Sequence, residues 1–257
     1  IEETNQEENT PNQQSKPKII EKWQKRNRFG RPGTTLITKK IAIHYTGQAD
    51  VEGWRTVSYF NNVVANGYKV NGKYIYASSH YVIDLDGTIF QLIPTSEQCY
   101  ATNSANKYAI AIEVATTGED NHYTDETYKS MVHLCAWLCQ YKGLDCKTDI
   151  ITHTDVVGKA YKLCPIYMVK NPHKMTQFKT DCHNLKSGKI TLDNIINCTS
   201  PDYIKNSSTS PLPKMIKVKK DVNYRKYPDF KTSSIAGVAK AGDIFTIVDL
   251  VERNDTN

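Results

Sequence analysis

Residues 109–115 read Ala-Ile-Ala-Ile-Glu-Val-Ala. This short apolar run with β-branched residues predicts a buried strand, and a single acid interrupts it. Working outward, Thr38 to Thr46, with Lys-Lys-Ile-Ala-Ile-His-Tyr-Thr at its centre, has the same character. Ser79 to Asp84 and Thr88 to Ile93 flank Asp84-Leu-Asp-Gly87, whose Asp-Gly pair predicts a hairpin. Ile150 to His153 reads as a fourth short strand after these. Between them lie helical patterns. Asp50 to Ala65 spaces Trp54, Val57, Tyr59, Phe60, Val63 and Val64 as a helix does. Thr124 opens another, with early acids that suit a helix N-terminus, running to about Tyr141 and stopping near Gly143. Met175 to Leu185 closes the unit. Strands alternating with helices predict an α/β fold, a mixed central sheet flanked by helices.

Beyond this unit the composition changes. Residues 1–16 are rich in Glu, Asn and Gln, with almost nothing to bury, and predict a disordered arm. Residues 17–186 form the main domain. Residues 187–213 hold Asn, Ser, Thr and Pro201, Pro211 and Pro213, and read as a linker. From 214 to 257 the pattern becomes all-strand, with Ile216, Val218, Val222 and Tyr224 alternating and Ile244 to Val248 forming a later strand. Gly237 and Gly242 are expected at turns there.

The chain has 257 residues, of which 39% are hydrophobic and 23% charged, as in a globular protein. No apolar run is long enough to span a bilayer, and no signal-peptide pattern opens the chain. The net charge of +6 favours polyanionic surroundings, and an anionic cell wall fits it. No nucleic-acid motif accompanies the charge, so nucleic acid is not an expected partner. Seven cysteines make at least one free of any intrachain disulfide. Cys135 and Cys139 share a helix face and read as small buried hydrophobes.

Three candidate metal ligands stand at predicted strand ends or in the adjoining loop: His44, His153 and Cys164. Two imidazoles and a thiolate are a suitable set for a catalytic zinc, which keeps one position open for water. Their separation along the chain does not by itself bring them together. Glu113 is the acid in the apolar strand, and an unpaired buried carboxylate is costly, so it needs a partner or a task. Beside a metal it can move a proton between water and a leaving amine.

Ile43–Thr46 (IHYT), 78–94 (SSHYVIDLDGTIFQLIP), 109–114 (AIAIEV) and 152–165 (THTDVVGKAYKLCP) resemble, in order and spacing, the zinc-dependent N-acetylmuramoyl-L-alanine amidases of the amidase-2 family. That family shares its fold with peptidoglycan recognition proteins. The resemblance implies Zn2+ held by His44, His153 and Cys164, with Glu113 as the family's acid. Its substrate is peptidoglycan, which implies a secreted or wall-associated enzyme or one released as phage lysins are. Lys162 falls on the Lys of the family's K-x-C-P pattern and is expected to stabilise an oxyanion. His80 is expected to hold substrate or support the site, and Asp155 to orient a ligand or cap the loop. A non-catalytic peptidoglycan-binding module on the same fold is the alternative, disfavoured because Cys164 and Glu113 are both present. The tail resembles the first part of a bacterial SH3 domain, through Asn223-Tyr-Arg-Lys-Tyr-Pro228, and reads as incomplete because the family's final Gly-Trp strands do not follow.

Overall fold

The computed structural model describes residues 14–195 and, beyond them, the backbone of four short strands between 215 and 246. The chain divides into two compact units, Ile1–Asn197 and Cys198–Asn257.

The first unit is built on six strands: β1 (Ile19–Glu21), β2 (Lys40–Ala49), β5 (Tyr81–Ile83), β6 (Ile89–Gln91), β7 (Ala109–Thr116) and β8 (Ile150–Thr152). A two-stranded hairpin of β3 (Lys69–Val70) and β4 (Lys73–Tyr74), missed in the sequence reading although Asn71-Gly72 between them is a hairpin-turn pair, stands apart from them. The sheet order is β1-β6-β5-β7-β2-β8. All neighbours are parallel except β5 and β6, the antiparallel hairpin at the Asp-Gly turn. Gly87 is needed there: its φ is +81°, and an added Cβ would lie 2.8 Å from the Glu126 carbonyl oxygen.

The helices are α1 (Gly53–Ser58), α2 (Asp125–Lys142), α3 (His153–Val157), α4 (Ile166–Lys170) and α5 (Pro172–Lys186). Helix α2 follows its sequence signals closely. Thr124 Oγ1 accepts from the Thr127 N–H at 3.0 Å, and Gly143 ends the helix at φ +67°. The expected 50–65 helix is three pieces instead. α1 gives way to a π-turn at Tyr59–Val63 and a 3-10 turn at Val64–Asn66, which ends in left-handed Gly67. The Asp84 carboxylate starts α1 by accepting from the N–H groups of Gly53 (2.6 Å) and Trp54 (3.0 Å).

The alternation of side chains along β2 and β7 sorts the two faces of the sheet. Ile41, Ile43, Ile110, Ile112 and Val114 pack with Met131, Leu134 and Leu138 of α2 and Phe178, Cys182 and Leu185 of α5. The residues between them point the other way. Ala111 packs with Val57, Phe60 and Val64, and Ala42 with Ala105 and Ala109. His44 and Glu113 fall on this second face by the same period. Cys135 and Cys139 are buried and unbridged, as their helical spacing predicts.

The ends of the unit extend past the expected boundaries. Gln14, inside the stretch read as a disordered arm, donates through its N–H to Gln140 (3.0 Å) and through its side chain to the Leu185 carbonyl (2.7 Å). The rest of that arm, 1–13, lies outside the described residues. After α5 the chain continues into the region read as linker, and Ile195 packs into the core at 2% exposure. Residues 196–214 lie outside the described residues. No described helix is long and apolar enough to cross a membrane.

In the second unit β9 (Met215–Lys217) pairs antiparallel with β12 (Ile244–Thr246), and β10 (Val222–Arg225) with β11 (Ile235–Ala239). Gly237, expected at a turn, sits within β11 opposite Tyr224, beside a bulge at Tyr224/Arg225.

Candidate metal centre

Strands β2 and β7, and the helix start that follows β8, bring His44, Glu113 and His153 to one edge of the sheet. His44 lies toward the C-terminal end of β2, in register with Glu113 of β7. β8 pairs with β2 on its other side and ends at Thr152, so His153, read from sequence as the last residue of a strand, is instead the first residue of α3. Ligand sites in α/β sheets favour this carboxyl edge. A capping box holds His153 in place: Thr152 Oγ1 accepts from the Asp155 N–H, and the Asp155 carboxylate accepts from the Thr152 N–H at 2.8 Å. Asp155 is therefore a cap.

Thr154 ties this helix start to the loop carrying Cys164. Its hydroxyl accepts from the Cys164 N–H (2.7 Å) and donates to the Lys162 carbonyl (2.8 Å), while its own N–H donates to the Cys164 carbonyl (3.1 Å). His153 and Cys164 thus share one rigid junction.

Among the described residues, one donor atom from each of His44, His153 and Cys164 comes within 4.8 Å of the others. His44 Nδ1 lies 3.7 Å from Cys164 Sγ and 4.0 Å from Glu113 Oε1. The imidazole rings stand 4.7 Å apart between centroids. All three of these residues are buried.

The opposite ring nitrogens are held by two consecutive residues that the sequence reading missed. His44 Nε2 is 2.9 Å from Thr102 Oγ1, and His153 Nε2 is 2.7 Å from Asn103 Oδ1. Polar residues in a loop far from both histidines leave no mark in the sequence that ties them to the site.

Burial dominates the electrostatics of the cluster. Burial holds the His44 imidazole well below its usual pKa, and the charges of His153 and Lys162 add to the effect. His153 is lowered to about 4, again first by burial and then by Lys162. Both imidazoles are therefore neutral, the form that binds metal. Burial raises the Cys164 thiol to about 12, with Glu113 adding to it. Burial also pushes Glu113 up to about 8 against the opposing effect of Lys162. Two buried atoms here lack a hydrogen-bond partner, His153 Nδ1 and Glu113 Oε2. Orphaned polar atoms are costly, and a divalent cation would satisfy the imidazole nitrogen and favour the thiolate. With two nitrogens, one sulfur and an adjacent acid, the donor set fits zinc.

Lys162 is exposed beside the cluster, and its charge reaches His44, Glu113, His153 and Cys164. His80 is not part of it. Its ring is fully buried, Nε2 bonds the Glu97 carbonyl (2.8 Å), and Nδ1 accepts the Ala111 N–H (3.0 Å). With both nitrogens committed and no exposure, it braces β7 against the 97–99 loop, which corrects the expectation that it touches substrate.

The family model described as N-acetylmuramoyl-L-alanine amidase matches residues 34–166, a span holding all the residues of the cluster. The N-acetylmuramoyl-L-alanine amidase BlyA of Bacillus subtilis (strain 168) is 26% identical over 249 residues, or 88% of this chain. The chain spans 63% of that relative's length. The fold is that of the PlyG catalytic domain (TM-score 0.52, 21% identity, 72% of this chain and 99% of that one). The catalytic domain of XlyA is similarly close (TM-score 0.52, 18% identity, 65% of this chain and 99% of that one). With a family match over half its length, and the cluster of His44, His153 and Cys164 inside that match, the chain belongs to the N-acetylmuramoyl-L-alanine amidase family.

Proposed function

We propose that this chain hydrolyses peptidoglycan at the amide joining N-acetylmuramic acid to the L-alanine of the stem peptide, using zinc held by His44, His153 and Cys164. The observation that carries the reading is the convergence of those three donor atoms within 4.8 Å, with Glu113 4.0 Å from one of them. Bound there, zinc would supply Lewis acidity toward the amide carbonyl and the attacking water.

The protein's own groups account for the proton and charge movements. Glu113 takes a proton from the attacking water as the new C–O bond forms. It returns that proton to the nitrogen as the C–N bond breaks, and L-alanine leaves as the free amine. Burial raises the proton affinity of this carboxyl, while the Lys162 charge opposes that rise and a bound cation would oppose it further, favouring the carboxylate that accepts from water. The Lys162 ammonium supplies positive potential where negative charge develops on the carbonyl oxygen. The tail, through its likeness to bacterial SH3 domains, would keep the enzyme on the cell wall.

The test is the release of L-alanine amino termini from purified peptidoglycan. Wild type should release them, lose activity to a chelator and regain it with zinc, and Cys164→Ala should release none. A folded, zinc-loaded protein that binds walls of several chemotypes and releases nothing would overturn the enzyme reading in favour of a binding module.

A further inference from the structure

Thr102 and Asn103 are adjacent in sequence, and each meets the Nε2 of a different candidate ligand, His44 and His153. Asn103 presents Oδ1, an atom that only accepts, so the His153 proton resides on Nε2 and its lone pair on Nδ1. That Nδ1 is the buried nitrogen without a partner. The Thr102 hydroxyl can accept in the same sense, and it leaves the His44 lone pair on Nδ1, the atom facing Cys164 Sγ. Asn103 thus sets the tautomer of His153, and Thr102 stands where it can accept from His44 in the same one.

The dipeptide is itself held. Thr102 is 1% exposed. The Asn106 side-chain oxygen accepts from the N–H groups of Ala101 (3.0 Å) and Thr102 (2.6 Å) and closes the turn. Asn103 adopts a φ of +51°, a conformation that asparagine tolerates better than most residues. The 3-10 turn that follows, Asn103–Lys107, packs Ala105 against Ala42 and Ala109 of the central strands. The turn therefore takes its position from the strands that carry His44 and Glu113.

We propose that Thr102 and Asn103 are positioning residues that fix both histidines with Nδ1 free for metal. A single turn clamped by Asn106 thereby sets the metal affinity of the site. The inference rests on the zinc reading above. Such outer partners typically contribute about 10- to 100-fold to metal affinity.

The experiment measures zinc affinity by competition with a chromophoric chelator, alongside the visible spectrum of the cobalt-substituted protein and the melting temperature of the metal-free protein. Thr102→Val deletes the hydroxyl at nearly constant shape, and Asn103→Gly deletes the amide while accepting the positive φ. Each should weaken zinc binding by about 10- to 100-fold and change the cobalt spectrum. Thr102→Ser and Asn103→Asp keep an oxygen acceptor and should retain tight binding and the wild-type spectrum. Unchanged affinity in Thr102→Val and Asn103→Gly, with wild type binding zinc, overturns the positioning role alone. So does an affinity loss that follows the melting temperature and is not restored by the conservative pair. A wild-type protein that takes up no zinc overturns the metal reading and this inference with it.

Discussion

At Glu113 one carboxylate oxygen lies 4.0 Å from His44 Nδ1 and the other is buried without a hydrogen-bond partner. Glu113→Gln keeps the shape and removes the proton-transfer group. It should lower kcat by about 10²- to 10⁴-fold, with bound zinc unchanged by elemental analysis. Loss of zinc together with activity would instead make Glu113 part of the metal cage. His80 gives the contrasting case. His80→Ala strands the Glu97 carbonyl and the Ala111 N–H and opens a cavity, a cost of about 3 kcal/mol. A lowered melting temperature with an unchanged KM for peptidoglycan, measured where the variant is folded, is the expected result. A raised KM would restore a substrate role. The sequence placed His80 beside a cleft because its neighbours resemble a family block. Which way a ring points in a packed core depends on partners such as Glu97 and Ala111, far away along the chain.

Elements with strong local signals formed where the sequence put them. Helix α2 carries Thr124 at its N-cap, Asp125 and Glu126 in its first turn, and left-handed Gly143 at its end. Thr124→Ala should lower stability by about 1 kcal/mol, read as a shift in the denaturation midpoint at constant slope. An unchanged midpoint would mean that the helix start is held by packing alone. The Asp-Gly turn is stricter, because Gly87 has both a positive φ and the Glu126 carbonyl in its way. Segments with weaker signals differed. The aromatic spacing at 54–64 gave a short helix followed by π and 3-10 turns, since Phe60 and Val64 seek the same core from a bent backbone. Ile150–Thr152 stopped a residue early because the Thr152–Asp155 capping box starts a helix at His153.

For the first unit as a whole, buried neutral histidines link stability to pH. Burial lowers the folded-state pKa of His80 to about 4, against about 6.5 for an unfolded histidine. Its surroundings are the Cys99 thiol at 3.3 Å and Glu97, with a weaker repulsion from Lys142. Between those two values the unfolded chain binds the extra proton. Stability is therefore full above about pH 6.5 and is lost as pH falls toward 4, at about 1.4 kcal/mol per unit for this residue. Melting curves of the metal-free protein from neutral pH downward should show that decline, and His80→Gln should make it shallower, with the share due to His44 and His153 remaining. A flat profile in the wild type would contradict it. Zinc that binds only the folded state should raise the melting temperature, by about 2.7 kcal/mol of stabilisation at a hundredfold excess over Kd. A chelator should reverse the rise.

By itself the sequence determined the alternation of strands and helices, the hairpin at Gly87, the caps of α2 and the identity of the residues able to bind metal. Each of these is written in a local pattern: side-chain period, turn chemistry, or a costly polar residue in an apolar run. Tertiary structure alone decided that His44, His153 and Cys164 meet, because that depends on β2 and β8 lying side by side in parallel and on Thr154 tying the loop of Cys164 to the helix start at His153. It also decided that Thr102 and Asn103 stand behind the two histidines and that His80 is sealed in the core. Those arrangements follow from the packing of distant segments, and the free energy that selects them is shared among contacts that no short window of sequence contains.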